Sequence, residues 1–119
     1  MERVQFIEHK GKKILHLNFS RLRASDILPV IDRARLVIAK QPPKSVWTLT
    51  DVSEATFNAA VSKSLKELVA HNKPYVVAAA VVGVHGLKQI LFNAVMEFSG
   101  RRLHAFSSHV EAKDWLANN

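Results

Sequence analysis

The most distinctive stretch of the hydrophobic pattern is an unbroken apolar run from Tyr75 to Val82, which lies between Pro74 and Gly83. Alternating polar and apolar residues would predict a half-buried strand, and apolar residues at about every fourth position would predict an amphipathic helix. A short continuous run rich in valine instead indicates a strand covered on both faces. The chain is therefore predicted to hold a central strand in a parallel or mixed sheet with helices above and below.

Two β-prone runs, Val4 to Glu8 and Lys13 to Phe19, precede this strand and flank the short loop His9 to Lys12, which contains a glycine. A short loop of this kind between two such runs is typical of a β-hairpin. Polar and apolar residues alternate in the second run. One face of that strand is therefore expected to be only partly covered, as in a strand near a sheet edge.

Helices and strands alternate through the rest of the chain. A first helix is predicted to begin with Ser25 as its N-cap and Asp26 in its first turn, and to end before Pro42 and Pro43. The other predicted elements are a strand at Val46 to Thr50, a helix from about Thr56 to His71, the central strand, a helix within Gly86 to Gly100, a strand at Arg102 to Phe106 and a final helix capped by Ser108. The order ββαβαβαβα predicts an α/β fold with a mostly parallel five-stranded sheet, an antiparallel N-terminal hairpin and about four helices.

The composition indicates a single domain of ordinary size and excludes several kinds of site. The 119 residues suit one domain, 1–119, and the apolar and charged fractions of 48% and 23% are those of an ordinary globular protein. The absence of cysteine excludes disulfides, thiolate chemistry and Cys-based zinc sites. The N-terminus lacks a signal-peptide pattern and no apolar run approaches the roughly 18 residues of a membrane span, so a cytoplasmic protein is expected.

The formal net charge of +7 leaves two interpretations open. A basic surface attracts nucleic acid, anionic lipid or an acidic protein, whereas many lysine-rich surfaces are simply solvated. The positive residues are scattered over predicted helices and loops, without a dense run or interleaved exposed aromatic residues. This distribution favours the solvated surface over a nucleic-acid interface.

Three short motifs accompany the predicted element order. Asp51 and Ser53 form an Asp-x-Ser at the end of the third strand, with Phe57 beyond it, and the central strand ends in Val82-Gly83. The third motif is the ending Phe106 … Glu111-Ala112 … Trp115-Leu116. With the element order, these motifs resemble the STAS domains of anti-sigma-factor antagonists, and more closely their SpoIIAA-like relatives, small bacterial domains of the STAS/SEC14-like type. The resemblance implies a STAS/SpoIIAA-like fold and a regulatory function exercised through a protein partner.

One position departs from that family's pattern. In the antagonists the helix after Asp-x-Ser begins with an acidic residue, a phosphorylatable serine, a second serine and a glycine. This chain has Asn58-Ala-Ala-Val61 there, and Ala60 stands where the switch serine would be. The family's serine phosphorylation switch is therefore not expected at this site.

The candidate binding residues lie at the predicted carboxyl ends of the strands, where ligands of open α/β sheets bind. Asp51 either orients a ligand or a partner's basic group, or hydrogen-bonds the loop backbone together with Ser53, as both residue types do in turns. The turn Gly83 to Lys88 either holds an anion at a helix N-terminus or only releases the strand into its crossover. The candidate partner- or ligand-binding residues are Asp51, Ser53, Thr56, Phe57, Gly83, His85, Gly86 and Lys88.

No motif predicts catalysis or a bound cofactor. The six histidines never occur as H-x-H or H-x-x-x-H, and the chain has neither a Gly-x-Ser-x-Gly elbow nor a cysteine nucleophile. We therefore expect no enzyme activity, no metal site and no cofactor.

The favoured functional hypothesis is a non-enzymatic regulatory or protein-interaction domain. Its working surface would be a rim formed by residues 51–57, residues 83–88 and the loop before His109. The alternative is a carrier that binds a small apolar or anionic molecule between the sheet and a mobile helix, and the SEC14-like relatives make lipid the first candidate by resemblance. The third hypothesis is nucleic-acid binding through the basic surface.

The helix within Gly86 to Gly100 raises the question of self-association. Helical spacing assigns its sheet-facing stripe to Leu87, Ile90, Leu91, Ala94, Val95 and Phe98. Phe92 and Met96 then share a face outside that stripe and must be covered by the final helix or by another chain. We therefore predict a homodimer through Phe92 and Met96, with coverage by the final helix as the alternative.

Overall fold

The computed structural model describes residues 2–119, which form five strands and four helices. The elements are β1 (Val4–His9), β2 (Lys12–Asn18), α1 (Ala24–Ala39), β3 (Val46–Asp51), α2 (Ala59–His71), β4 (Val76–Val82), α3 (Leu87–Ser99), β5 (His104–Phe106) and α4 (His109–Ala117). The predicted order ββαβαβαβα is confirmed, and the resulting α/β architecture is a mixed sheet with helices on both faces.

The strands lie side by side in the order β1-β2-β3-β4-β5. The β1–β2 pair is antiparallel and the other three pairs are parallel, as the hairpin and the crossovers predict. Lys10 and Gly11 make the hairpin turn with φ of 51° and 79°, the left-handed conformation that suits a two-residue β-turn. The central apolar run therefore becomes the fourth strand, flanked by β3 and β5.

One face of the sheet, called here the three-helix face, is covered by α1, α2 and α3. Helix α1 directs a fully buried stripe toward it, formed by Ile27, Ile31, Ala34 and Ile38. Leu15 and Leu17 of β2 and Val81 of β4 belong to the same buried cluster. This face holds the larger of the two hydrophobic cores.

The other face, called here the α4 face, is covered by the nine residues of α4 alone. Ala112 and Leu116 are fully buried there, against Ile14, Leu49 and Ala80. Trp47, Phe106 and Trp115 extend this second cluster toward its margin. The short final helix is thus an integral part of the core.

The helix and strand boundaries differ from the predictions at several ends. The predicted N-cap Ser25 is wrong, because α1 begins at Ala24 and Arg23 precedes it without a side-chain cap. Helix α2 starts later than predicted, since the side chain of Asn58 accepts a hydrogen bond from the amide of Val61. Strand β5 starts two residues later than predicted, at His104.

The predicted orientation of α3 is wrong for three of the six stripe residues, whereas Val95 is buried and Leu91 packs against the core as predicted. Leu87, Ile90 and Phe98, assigned to the sheet-facing stripe, are 84%, 67% and 60% exposed. Phe92 instead packs against the larger core, together with Leu91. Apolar residues occupy most of the circumference of this helix, so spacing alone does not identify its inner face. The choice comes from packing, because α3 lies mainly against α2 rather than flat on the sheet.

Candidate functional site

Asp51 lies at the carboxyl end of β3, and both of its carboxylate oxygens are engaged within the chain. Oδ1 accepts a hydrogen bond from the amide of Ser53 at 2.8 Å, and Oδ2 accepts one from Nε2 of His109 at 2.7 Å. The side chain is only 11% exposed. The first bond is the contact with the loop backbone that the sequence analysis gave as one of two alternative roles for Asp51. The second joins the end of β3 to the first turn of α4.

His16 completes a partly buried polar cluster around this carboxylate. Its ring meets the ring of His109 edge to face, with the centroids 5.5 Å apart. Within residues 2–119 its Nε2 is buried without a hydrogen-bond partner. Burial, followed by the charge of His109, lowers the pKa of His16 below 6.5. His16 is therefore neutral at neutral pH, with one ring nitrogen as a donor and the other as an acceptor.

The pKa of Asp51 reflects two opposing influences. Burial acts to raise it, but hydrogen bonds from Ser53 and His109 together outweigh burial and place the pKa below 3.8. Asp51 is therefore ionised across the physiological range, and its charge is directed at His109 rather than at solvent. This arrangement stabilises the attachment of α4.

Gly83 and Ser53 pack directly against each other. A Cβ atom on Gly83 would lie 2.5 Å from both the amide nitrogen and the hydroxyl oxygen of Ser53, and Gly83 has a φ of +93°. Only glycine satisfies both the contact and the backbone conformation. These two predicted site residues thus have a structural role in bringing the β3 and β4 loops together.

The remaining predicted residues divide into two groups. Thr56, His85 and Gly86 are exposed on the surface. Phe57 and Lys88 are partly buried and close together, with the Lys88 ammonium 5.9 Å from the centroid of the Phe57 ring. Only this second group faces an internal space.

That space, called here the α3 cavity, lies between the sheet, α2 and α3 and has a volume of about 80 Å³. Its floor includes Ala79 and Val81 of β4. Its other apolar walls are Leu17, Phe19, Val52, Phe57, Leu65, Leu68, Val69, Val84, Leu91, Phe92, Val95 and Leu103. The polar side chains are Thr48, Thr50, Asn72, Lys88 and Arg101, and within the described chain no acidic residue lines it.

The α3 cavity arises where small side chains of the sheet meet a helix that leans away from it. Ala79 leaves room on the three-helix face, and α3 rests on α2. The volume is smaller than the roughly 300 to 1,000 Å³ of ordinary ligand pockets. A ligand of useful size therefore requires α3 to move outward.

Arg101 is a functional candidate that the sequence reasoning missed. One guanidinium nitrogen donates to the carbonyl of Val69 at 3.3 Å, and burial lowers the pKa of this side chain. His109 appeared in the sequence analysis only as the end of a loop, and His16 was not singled out there. Asp51 and His109 are 58 residues apart, so no local pattern pairs them.

The structure also removes the reason for placing a dimer interface at Phe92 and Met96. Phe92 lines the α3 cavity, and Met96 is half-buried. The exposed apolar residues of α3 are Leu87, Ile90 and Phe98 instead. Self-association stays a prediction, and its candidate surface moves to these three residues.

Comparison with solved structures identifies the architecture. The chain superposes on the crystal structure of an uncharacterized protein of the DUF3478 family from Shewanella loihica PV-4, with a TM-score of 0.68 and 18% sequence identity. The match covers 95% of this chain and 91% of that one, and the Shewanella protein has a SpoIIAA-like fold. The fold of this protein is SpoIIAA-like. The resemblance seen in the sequence is thus confirmed for the fold.

Comparisons at the level of sequence add nothing further. No family model matches the chain, and no curated protein is significantly similar to it. Between residues 2 and 119, no cluster of three or more His, Asp or Glu side chains is arranged to hold a metal ion. Over the same residues, no helix has the length and apolar character needed to cross a membrane.

Proposed function

We propose that this protein is a non-enzymatic regulatory domain with a SpoIIAA-like fold that binds a small amphiphilic anion in the α3 cavity. The observation that carries the proposal is an apolar internal space with cationic side chains, Lys88 and Arg101, in its wall. An apolar chain matches the Leu, Val and Phe walls, and an anionic head matches either cation. The site suits ligands such as medium-chain carboxylates.

Helix α3 couples ligand entry to regulation in this proposal. The inner face of this helix, including Leu91 and Phe92, lines the cavity, while Leu87 and Ile90 are exposed on its surface. Outward movement of α3 enlarges the cavity and displaces the exposed apolar surface at the same time. A ligand that favours the outward position therefore changes what the protein presents to a partner.

The test is ligand recovery followed by binding. Native mass spectrometry of the freshly purified protein is expected to detect a bound amphiphile, and decanoate is expected to raise the melting temperature. Ala79→Leu, which fills the cavity floor, is expected to abolish the shift with decanoate. Leu36→Ala, at an exposed position on α1, is the matched control and is expected to retain it. An empty protein that does not respond to decanoate at millimolar concentrations would refute the proposal.

Binding of a protein partner at the carboxyl ends of the strands is the second candidate function. The specific observation is the exposure of Leu87 and Ile90 beside the loop that carries His85. In a pull-down experiment, a partner retained by wild type is expected to be lost with the double substitution Leu87→Glu/Ile90→Glu. A Leu36→Glu variant controls for the added charge. Equal retention by both variants would place the partner elsewhere.

Nucleic-acid binding stays a prediction from the net charge. Its expected signature is a strong loss of affinity with added salt, because each neutralised phosphate releases counterions.

A further inference from the structure

A second concave surface lies at the opposite end of the sheet from Asp51. It is called here the amino-end concavity, has a volume of about 360 Å³, and is formed where β4 and β5 begin and where α4 ends. It is lined by Lys73, Val76, Val77, Ala78, Arg101, Arg102, His104, Trp115 and Asn119. None of the candidate residues predicted from the sequence belongs to it. Its volume reaches the range of ordinary small-molecule pockets, roughly 300 to 1,000 Å³.

Three cationic side chains converge on this concavity. Lys73 follows α2, and its ammonium lies 3.5 Å from the position that a Cβ atom would take on Gly100. Arg101 and Arg102 come immediately after that glycine, so all three cationic residues lie around the end of α3. The left-handed φ of Gly100, 68°, ends α3 and turns the chain toward β5 at this point.

These cations lack nearby negative side chains. No Asp or Glu lines the amino-end concavity, and among residues 2–119 the ion pairs of Lys and Arg involve only Lys10, Arg21 and Arg33. Like charges that line one concavity repel one another, although the exposure of Lys73 and Arg102 to solvent weakens that repulsion. Burial also lowers the pKa of Arg101. An anion in this space would relieve the repulsion.

The same concavity contains an aromatic surface. Trp115 is partly buried and is packed against His104 and Phe106, with ring centroids 4.4 Å and 5.4 Å away. Its ring is therefore held in place by the β5 strand rather than free on the surface. Val77, 46% exposed although it lies in a central strand, adds apolar area to the wall.

We propose that the amino-end concavity binds a small organic phosphate that carries a planar ring. Arg101, Arg102 and Lys73 would contact the phosphate, and the ring would lie against Trp115. Guanidinium groups bind phosphate oxygens in pairs, and a lysine ammonium adds a third donor. A dianionic phosphate matches three positive charges better than a carboxylate with one charge. The aromatic wall accounts for the ring, because stacking on indole favours planar groups.

This site is distinct from the α3 cavity, although Arg101 lies in the walls of both. Lys73, Arg102 and Trp115 line only the amino-end concavity. Substitutions at these three positions therefore test the second site without altering the first. If decanoate does not bind, the inference about the amino-end concavity still stands. If phenyl phosphate does not bind, the proposal for the α3 cavity still stands.

The test is isothermal titration calorimetry with phenyl phosphate, inorganic phosphate and phenol at low salt. The protein should carry any purification tag at its N-terminus, since Asn119 lines the concavity. Phenyl phosphate is expected to bind at least tenfold more tightly than either inorganic phosphate or phenol. Lys73→Gln/Arg102→Gln is expected to weaken phenyl phosphate binding by tenfold or more, because two charge-assisted contacts are lost.

Matched controls distinguish a specific phosphate site from nonspecific electrostatic attraction to the basic surface. Lys40→Gln/Lys63→Gln removes the same charge from two exposed positions elsewhere and is expected to change binding less than twofold. Trp115→Leu is expected to reduce binding of phenyl phosphate to the level of inorganic phosphate, and circular dichroism checks its folding. If that variant fails to fold, the exposed Arg102→Gln substitution alone decides, with an expected loss of several-fold.

Four outcomes would overturn the proposal. The first is the absence of phenyl phosphate binding at low salt, and the second is an equal loss with the Lys40 and Lys63 control. The third is a loss with Ala79→Leu, which would locate the ligand in the α3 cavity instead. The fourth is preferential binding of a single-stranded oligonucleotide, with a salt dependence of the affinity that corresponds to several neutralised phosphates. That result would assign the surface to nucleic acid.

Discussion

The two faces of the sheet are covered in different ways. Three helices cover one face, yet a cavity of about 80 Å³ remains between α3 and the sheet. One helix of nine residues covers the centre of the other face, and the residues beneath it are fully buried. The number of covering helices therefore does not decide how tightly a face is packed.

The strand between the two faces has nearly the same composition on each side. Ala79 and Val81 point to the three-helix face, and Ala80 and Val82 point to the α4 face. What differs is the facing helix. Helix α4 places Leu116 directly onto the strands, whereas α3 leans on α2.

Polar contacts near both ends of α4 accompany this packing. His109 in its first turn donates to Asp51, and Asp114 in its second half accepts from His9 at 2.7 Å and pairs with Lys10 at 3.0 Å. The hydrogen bonds from His9 and Lys10 lower the pKa of Asp114. A helix of nine residues is unstable in isolation, so these contacts and the buried side chains must hold it. The centre of the α4 face is therefore tightly held, whereas α3 on the other face contacts α2 more than it contacts the sheet.

The largest expected effect comes from removing the main side chain beneath α4. Leu116→Ala is expected to lower the free energy of unfolding by about 2 to 5 kcal/mol, because Leu116 is fully buried and no other helix can fill the space. Val110→Ala on the same helix, where the side chain is 65% exposed, is expected to change it by less than about 0.5 kcal/mol. Urea unfolding measures both, and equal effects would contradict the proposed importance of α4.

Adding the same methyl groups to adjacent strand positions tests the difference in packing directly. Ala80→Val is expected to destabilise the protein by about 1 to 3 kcal/mol, because Ala80 is fully buried beneath α4 and the added methyl groups must displace its neighbours. Ala79→Val projects into the α3 cavity and is expected to be neutral or to stabilise by up to about 1 kcal/mol. Thermal and urea unfolding of the pair give the comparison. A larger loss from Ala79→Val would mean that the cavity is filled in solution.

The contribution of the Asp51–His109 contact is next in size. Asp51→Asn is expected to reduce stability at neutral pH by about 1 to 2 kcal/mol through the loss of a charge-assisted hydrogen bond. The pKa of Asp51 is lower in the folded state, so its stabilisation is complete above pH 3.8 and is lost as the pH falls below that value. The difference between wild type and variant should therefore shrink in acid. Glu54→Gln, at an exposed ion pair with Arg21, is the control and should have little effect.

The smallest expected effect is the acid sensitivity contributed by His16. Because its pKa is lowered in the folded state, the unfolded chain binds more protons below pH 6.5, and stability falls as the pH drops through that region. His109, Asp51 and Lys113 are the charged groups that influence this ring. Melting temperatures measured from about pH 7.5 to about pH 5.5 should decline less in His16→Gln than in wild type. His85→Gln, at an exposed histidine, should decline as wild type does.

Several features of the fold were determined by the sequence itself. The apolar run ending at Val82 predicted a strand buried on both faces, and Gly11 in a short loop predicted the hairpin. The hairpin is confirmed, and the strand is confirmed as buried on both faces from Ala79 to Val82, although Val77 near its start is 46% exposed. Both features depend on local properties, namely continuous hydrophobicity and the conformational freedom of glycine. Ala112 and Leu116 are four residues apart, so helical spacing alone places them on one face of α4.

Other features were decided only by the tertiary structure. The spacing of α3 was compatible with more than one inner face. Packing against α2 placed Phe92 on the inner face with Leu91 and Val95, and left Leu87 and Ile90 exposed. The partnership of Asp51 with His109 depends on where the last helix crosses the sheet, which no local pattern encodes. The convergence of Lys73 with Arg101 and Arg102 likewise requires the end of α2 to meet the end of α3. Long-range packing brings these groups together, and their chemistry becomes visible only after the chain has folded.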